Sequence, residues 1–124
     1  MSDRKAAEIA GRSAEGLAAL MLLISGYVIL ARRWRCVVGE IDIIARKGKQ
    51  LIFVEIKFRR RLENWHGITS HQQQRISRAA ELYVAEKGFS PDFEWRFDVI
   101  LLHLNYNVWP PLWRHYKNAW QASR

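Results

Sequence analysis

The sequence predicts one α/β domain over residues 1–124, built on a mixed central sheet of about five strands flanked by helices. The chain has 124 residues, of which 49% are hydrophobic, so it can bury one core but is too short for two ordinary domains. Two segments have helical character, and several shorter segments rich in Val, Ile and Leu have strand character. Their order (helix, three strands, helix, two strands) favours a mixed sheet with helices packed on it.

The N-terminal half is predicted to form a helix and three strands. The helix begins at Asp3, a suitable N-cap, and ends at about Ser25, just before a glycine. Its apolar run at 17–24 is eight residues long, far below the roughly 20 needed to cross a bilayer, so we expect a buried helix end. Strands are predicted over 27–33, 41–45 and 51–58. The polar, glycine-containing loop that precedes the third strand suits a hairpin connection.

The C-terminal half begins with a predicted exposed loop at 59–69. A second helix follows, capped at residue 69 or 70 and ended by Gly88. A fourth strand is predicted over 95–104, apolar enough to be central, and a short last strand over 112–119. The second helix has apolar residues at the spacing of one helical face: Ile76, Ala79, Ala80, Tyr83 and Val84.

Positive charge is concentrated in one stretch of the chain. The net charge is +8, and residues 32–61 carry ten Lys or Arg and three Asp or Glu, a net of +7. Such a patch attracts a polyanion, so DNA is the expected partner, with RNA not excluded. The alternative is a solvated basic surface that only aids solubility. The residues expected to hold the phosphate backbone are Arg32, Arg33, Arg35, Arg59, Arg60 and Arg61.

Cysteine and histidine usage argues against a zinc or disulfide scaffold. Cys36 is the one cysteine, which excludes a disulfide within the chain and fits a reducing compartment. The four histidines are scattered and do not pair at metal-ligand spacing on a predicted helix. Residues 1–10 alternate charged and small side chains, unlike a secretory signal peptide. We therefore expect a cytoplasmic protein without a membrane segment.

Charged residues at the ends of two predicted strands form the chemical centre of the sequence. Strand side chains alternate between faces, so Glu55 and Lys57 share one face of the third strand. Asp42 lies opposite the apolar face formed by Ile41, Ile43 and Ala45. If the two strands pair as a hairpin with matching faces, Asp42 comes close to Glu55 and Lys57.

Two carboxylates and a lysine inside a sheet suggest metal chemistry. Buried like charges are costly unless they are paired or bound to a metal. Carboxylate oxygens suit Mg²⁺, and a lysine beside the metal can orient water or stabilise charge in phosphodiester hydrolysis. A plain ion pair between Glu55 and Lys57 is the alternative, because Glu-x-Lys is frequent by chance.

Two further carboxylates have competing interpretations. Glu15 has apolar neighbours on the first helix, which is unusual for a carboxylate. It could serve the site, or it could lie at the edge of the apolar stripe and pair with Arg12. Asp98 lies in the middle of the fourth strand, where a pair with a nearby arginine is favoured over a ligand role.

Five segments, taken in order along nearly the whole chain, resemble the YraN-like family of small bacterial proteins. These segments are Gly11-Arg12-Ser13-Ala14-Glu15, Gly26-Tyr27-Val28-Ile29-Leu30-Ala31-Arg32-Arg33-Trp34-Arg35, Gly39-Glu40-Ile41-Asp42-Ile43-Ile44, Phe53-Val54-Glu55-Ile56-Lys57-Phe58-Arg59 and Arg96-Phe97-Asp98-Val99. That family is regarded as restriction-endonuclease-like, with the signature Asp, then Glu-x-Lys, and is similar to archaeal Holliday junction resolvases. The resemblance implies a restriction-endonuclease-like core.

The resemblance also assigns roles to particular residues. It implies that Glu15, Asp42 and Glu55 are catalytic and hold Mg²⁺ or Mn²⁺, and that Lys57 assists catalysis. Glu40 belongs to the Gly-Glu-Ile-Asp motif and is either a further ligand or a structural partner for an arginine.

This sequence departs from the family pattern at two places. Gln72 stands where family members usually have a lysine, and an amide on that helix can still serve the site. Lys57-Phe58-Arg59 replaces the usual Lys-Thr-Arg. Neither change removes an implied metal ligand.

Three functions are compatible with these observations. The first is a metal-dependent DNA endonuclease, either nonspecific or selective for junctions or branched DNA, and the intact Asp42, Glu55 and Lys57 favour it. The second is a nucleic-acid-binding module without chemistry on the same fold. The third is an assembly protein whose basic loop contacts another protein. Resolvase-like relatives act as dimers, and one site in a chain of this size cannot cut both strands, so a homodimer fits the first function.

Overall fold

The computed structural model describes residues 15–59, 67–103 and 112–122, which form one five-stranded mixed sheet and two helices. The predicted α/β class and mixed sheet are confirmed. The predicted helix start at Asp3, most of the predicted loop at 59–69, and Arg60 and Arg61 lie outside the described residues. In chain order the elements are α1 (residues 15–24), β1 (Val28–Cys36), β2 (Gly39–Lys47), β3 (Gln50–Arg59), α2 (Ser70–Lys87), β4 (Glu94–His103) and β5 (Leu112–Trp120).

The strands lie in the sheet in their order along the chain, β1-β2-β3-β4-β5. β1, β2 and β3 form an antiparallel meander, β3 and β4 are parallel, and β5 is antiparallel to β4. A parallel pair needs a crossover connection, and α2 lies in the segment between β3 and β4. The sheet is therefore mixed because one helical crossover is inserted into an otherwise antiparallel series.

Helix α2 has the caps and the buried face that the sequence predicts. The Thr69 hydroxyl accepts a hydrogen bond from the backbone N–H of Gln72, which satisfies a free donor at the helix start. Gly88 has a φ of 68° and its N–H donates to the Val84 carbonyl, closing the other end. The residues of the predicted apolar face that are fully buried are Ile76, Ala79, Ala80 and Tyr83.

Helix α1 buries only part of its apolar run. Ala18 and Leu22 lie in the core at 0% exposure. The expected burial of the whole run is wrong, because one helix face points to the sheet and the other faces outward. No helix among the described residues is long and apolar enough to cross a membrane. The exposed members of the run are Leu20, Leu23 and Ile24, and Ile24 is 78% exposed.

The sheet separates two hydrophobic clusters, one on the α1 face and one on the α2 face. Val54 and Ile43 pair directly and pack with α1, while Phe53 packs with α2. The prediction that Ile41 shares a face with Ile43 is wrong, because Ile41 packs in the cluster of α2. The regular alternation of β2 is therefore interrupted between these residues, at Asp42.

A candidate active site where strands β2 and β3 part

Asp42 lies at the point where the ladder between β2 and β3 ends. The last paired residues are Ile43 and Val54, although both strands continue beyond them. One step further, the Asp42 Oδ2 atom accepts a hydrogen bond from the backbone N–H of Ile56 at 2.8 Å. A carboxylate thus takes the place of a backbone carbonyl, which satisfies the free N–H of β3 and fixes the Asp42 side chain between the two strands.

On the neighbouring strand β1, the residue opposite Asp42 has an unusual backbone conformation. Arg33 falls between the Arg32–Ile43 and Trp34–Ile41 pairs and has a φ of 53°. A non-glycine residue in this region costs about 1–3 kcal/mol and persists only where its surroundings impose it. The irregularities of both strands therefore meet at the same row of the sheet.

Glu55 and Lys57 share one face of β3, as the alternation of the strand predicts. The Lys57 Nζ atom lies 3.4 Å from the Glu55 Oε1 atom, and the two side chains are only 17% and 15% exposed. Glu55 is paired with Val99 of β4, which packs in the cluster of α2. The ion pair therefore lies on the α2 face of the sheet and is largely shielded from solvent.

The two carboxylates are in an environment that favours their neutral forms. Burial, and then the neighbouring Glu55 charge, raise the pKa of Asp42 to about 7, against the opposing effect of the Ile56 N–H. Burial also raises the pKa of Glu55, although the Lys57 ammonium and hydrogen bonds with Lys57 and Asp42 oppose the rise. Lys57 alone therefore does not offset the effect of burial on the pKa values of the two carboxylates.

Glu15 and Glu40 form an outer layer that is tied together by Arg33. The Arg33 Nε atom lies 3.8 Å from the Glu15 Oε2 atom and 3.4 Å from the Glu40 Oε1 atom. Burial and the charge of Asp42 raise the pKa of Glu15, while Arg33 opposes the rise. Glu15 is thus close enough for the charge of Asp42 to affect its pKa, as expected if both residues serve one site. Glu15 is also within ion-pair distance of Arg33 on β1.

A small cleft of about 90 Å³ joins this cluster to helix α2. Its lining includes Glu40 and Glu55 from the sheet, and Gln72 and Arg75 from the helix. The structure therefore places Gln72 beside Glu55. Arg75 was missed by the sequence reasoning, although its position three residues after Gln72 places both on one helix face and could have indicated it. Its guanidinium lies 3.7 Å from the position that a Cβ atom would occupy on Gly39.

Four of the arginines predicted to hold phosphate lie within the described residues, and they differ in their contacts. Arg33 and Arg35 are directed to Glu40, with an Arg35 Nε to Glu40 Oε2 distance of 3.2 Å. Arg32 is exposed on β1. The Arg59 Nη1 atom donates to the Phe58 carbonyl at 2.8 Å. Two of the described candidates therefore neutralise a carboxylate of the cluster itself, and the phosphate-binding role of the set stays a prediction.

The oxygen donors fit a hard divalent cation that keeps most of its water. Among the residues that the structure describes, no group of three or more His, Cys, Asp or Glu side chains is arranged to hold a metal. Mg²⁺, however, is commonly bound through one or two carboxylates, with water in the remaining positions. Asp42 and Glu55 form such a pair, and the raised pKa of each means that a cation would compete with a proton for them.

A second buried aspartate lies outside the site and has a structural environment. Asp98 of β4 is 0% exposed, and both its oxygens are 2.8 Å from nitrogens of Arg96. The His115 Nε2 atom lies 2.7 Å from Oδ2, and the Asn118 N–H donates to Oδ1 at 2.9 Å. The predicted pairing of Asp98 with an arginine is confirmed.

Fold and site together define a class: an α/β protein in which two interacting carboxylates and a lysine meet where a β-hairpin opens. Residues 14–102 match the profile of "Uncharacterised protein family UPF0102". The chain is 48% identical over 100 residues to a UPF0102 protein of Nitrobacter winogradskyi, which covers 80% of this chain and 85% of the relative. A UPF0102 protein of a Bradyrhizobium species is 46% identical over 101 residues, covering 81% and 74% respectively. The chain therefore belongs to this family, and the YraN-like membership predicted from its motifs is confirmed.

Proposed function

We propose that this protein is a metal-dependent endonuclease that hydrolyses DNA phosphodiester bonds on a restriction-endonuclease-like core. The observation that carries the proposal is the Asp42–Glu55 pair, two half-buried carboxylates at the open end of a hairpin whose pKa values are both raised by burial, with the Glu55 charge adding to the rise at Asp42. A fold that needed only stability would avoid placing two such charges together. Perturbed carboxylates in a cleft are typical of functional sites.

In this proposal each residue of the cluster has a separate role. Asp42 and Glu55 would hold the Mg²⁺ or Mn²⁺ ion, with Glu15 behind them as the third carboxylate. The bound ion would lower the pKa of a coordinated water and neutralise charge on the phosphate. Lys57 favours the ionised form of Glu55 through the 3.4 Å contact, against the effect of burial. Its ammonium also lies where positive charge would stabilise the phosphate during attack.

One contact fixes the orientation of Asp42 before any ligand binds. The Ile56 N–H holds the Oδ2 atom of Asp42 at 2.8 Å, which sets the position of the carboxylate. Gln72 and Arg75 form the helix side of the cleft, where they would meet the substrate rather than the sheet. Preorganisation of this kind avoids reorganisation cost during the reaction.

The test is cleavage of a labelled four-way junction and a matched linear duplex, with Mg²⁺, Mn²⁺ or EDTA. Replacing Asp42 by asparagine keeps the shape and one acceptor but removes the charge, so we expect cleavage to fall about 100-fold or more. Asp92→Asn is the matched control, because that side chain is 74% exposed and lies in a surface ion pair. Cleavage undiminished in Asp42→Asn would disprove the proposal.

A nucleic-acid-binding module without chemistry is the second candidate. The lack of a three-donor group among the described residues favours it. It predicts DNA binding that weakens steeply with salt and is independent of Mg²⁺. Binding of this kind by both wild type and Asp42→Asn, without cleavage of either substrate, would replace the endonuclease proposal with this one.

A further inference from the structure

A second, wider cleft lies on the α2 face of the sheet, between the start of α2 and the edge strand β5. Its volume is about 570 Å³, within the range of small-molecule sites. None of the described residues that line it is acidic. Its walls include Ile68 and Gln73 on the helix side, and Val99, Tyr116 and Trp120 on the sheet side.

The register of the sheet connects this cleft to the candidate active site. Glu55 of β3 is paired with Val99 of β4, and Val99 is paired with Tyr116 of β5. Directly paired residues lie on the same face of a sheet, and neighbouring strands are about 4.8 Å apart. The Tyr116 backbone therefore lies roughly 10 Å from that of Glu55, across two strand spacings.

The next row of the sheet repeats this arrangement with positive charge. Lys57 is paired with Leu101, and Leu101 is paired with Arg114. Arg114 is exposed, and so is Lys117, which lines the cleft. The path from the carboxylate pair to the cleft is thus bordered by cations, which suits a strand carrying phosphates.

The aromatic lining of the cleft has one fixed ring and one available ring. Trp120 is only 7% exposed, stacks on Phe97 at a centroid distance of 5.1 Å, and its Nε1–H donates to the Ser77 hydroxyl. Tyr116 is 36% exposed, although an aromatic side chain gains by burial. An aromatic face beside cations, in a cleft whose described lining has no acidic residue, is the arrangement on which unpaired bases stack.

We propose that this cleft binds an unpaired nucleobase of the strand whose phosphate reaches Asp42 and Glu55. The substrate class is then nucleic acid with single-stranded nucleotides next to the cut site, rather than continuous duplex. A base in a duplex is stacked and paired, so it must first be extruded at a cost. The position of the cut rests on the proposed function, while the base-binding cleft does not.

The test is fluorescence anisotropy in EDTA at low salt, with a labelled oligothymidine single strand and a blunt duplex of the same length. Tyr116→Ala should weaken binding of the single strand about 10-fold, because one stacking contact is lost, and should leave duplex binding unchanged. Tyr116→Phe should bind like wild type, since the ring is kept. Leu82→Ala is the matched control, because Leu82 is an apolar side chain with a similar 38% exposure that does not line this cleft.

A probe within the strand adds a readout that a folding defect would not imitate. 2-Aminopurine in a single strand should lose fluorescence on binding to wild type and keep it on binding to Tyr116→Ala. Equal loss of single-strand and duplex binding, or no loss of either, would overturn the proposal. Because the binding assay contains no metal, single-strand preference in that assay together with no cleavage in Mg²⁺ or Mn²⁺ would reject only the endonuclease. Cleavage that does not depend on Tyr116 or on unpaired nucleotides would reject only the base-binding cleft.

Discussion

Asp42, which is half-buried, and Asp98, which is fully buried, lie on the two strands that flank β3, and their environments are opposite. Burial alone would raise the pKa of Asp98, but hydrogen bonds from His115, Arg96 and the Asn118 N–H lower it below the ordinary value. Burial and a like charge raise the pKa of Asp42 to about 7. Burial of a carboxylate therefore does not indicate its role, whereas the charges and donors around it do.

The environment of Asp98 ties several strands together. Arg96 also donates to the Tyr27 hydroxyl at 2.8 Å and to the Gln50 side chain at 3.1 Å. His115 and Asn118 belong to β5, so one carboxylate connects the last two strands with the start of β1 and β3. A fully satisfied polar network of this kind specifies one arrangement of the sheet.

The largest effect expected from this comparison is the loss of the Asp98 network. Asp98→Ala leaves the Arg96 guanidinium, only 15% exposed, without its carboxylate, and should lower the free energy of unfolding by about 3–5 kcal/mol. Urea denaturation measures it. Asp92→Ala, which breaks an exposed pair with Lys49, should change stability by less than about 1 kcal/mol. Equal effects of the two variants would remove the distinction between the two aspartates.

The next effect is the pH dependence of the free energy of unfolding, to which Asp42 and Asp98 contribute with opposite signs. A carboxyl whose pKa rises on folding from 3.8 to about 7 stabilises the protein fully below its unfolded pKa, and this contribution is lost as pH rises through the folded value. Asp98, with its lowered pKa, contributes above its unfolded pKa and loses that contribution only in acid. Without divalent metal, stability should therefore increase as pH falls from about 8 to about 5 and decrease in stronger acid.

Asp42→Asn separates the two contributions. At about pH 8 the variant should be about 1–3 kcal/mol more stable than wild type in EDTA, because the folded state no longer holds that buried charge. Its stability should also change less between about pH 8 and pH 5. The measurement is thermal or urea unfolding across that range. A variant less stable than wild type at every pH would mean that Asp42 is compensated, like Asp98.

The smallest effect is a loss of stability at a position away from both aspartates, which serves as a control for general destabilisation. Gly88 ends α2 with a φ of 68°, and a Cβ added there would meet nothing within 4 Å. Gly88→Ala should therefore cost about 1 kcal/mol from backbone strain alone, measured by urea unfolding. The pH profile should keep its wild-type shape. A changed profile would show that general destabilisation, rather than the carboxylates, determines the pH dependence.

Local signals predicted most of the fold. Cap chemistry predicts the ends of α2 at Thr69 and Gly88, and helical spacing predicts its apolar face. The two caps and the buried face are all observed. Strands β1 and β2 are longer than predicted, because β1 continues to Cys36 through pairing with Gly39. Such extensions depend on a neighbouring strand rather than on the propensity of the residues themselves.

The candidate site was predicted as a set of residues but not as a geometry. Alternation placed Glu55 beside Lys57, and the hairpin brought Asp42 near them. It could not predict the switch of Ile41 to the other face or the positive φ of Arg33, since both arise where tertiary contacts override the regular ladder. Arg75 was missed because the packing of α2 over β2 and β3 is not encoded in any one segment.

The tight hairpin of β2 and β3 has a consequence for the order of folding. Lys47 pairs with Gln50 across a two-residue turn, so this hairpin can form on the order of microseconds. Asp42 and Glu55 then meet while still in water, where like charges repel weakly. The free-energy cost of burying both charges appears only when the slower formation of the parallel crossover adds α2 and β4. We therefore expect the desolvation of the carboxylate pair to occur in the step that completes the sheet.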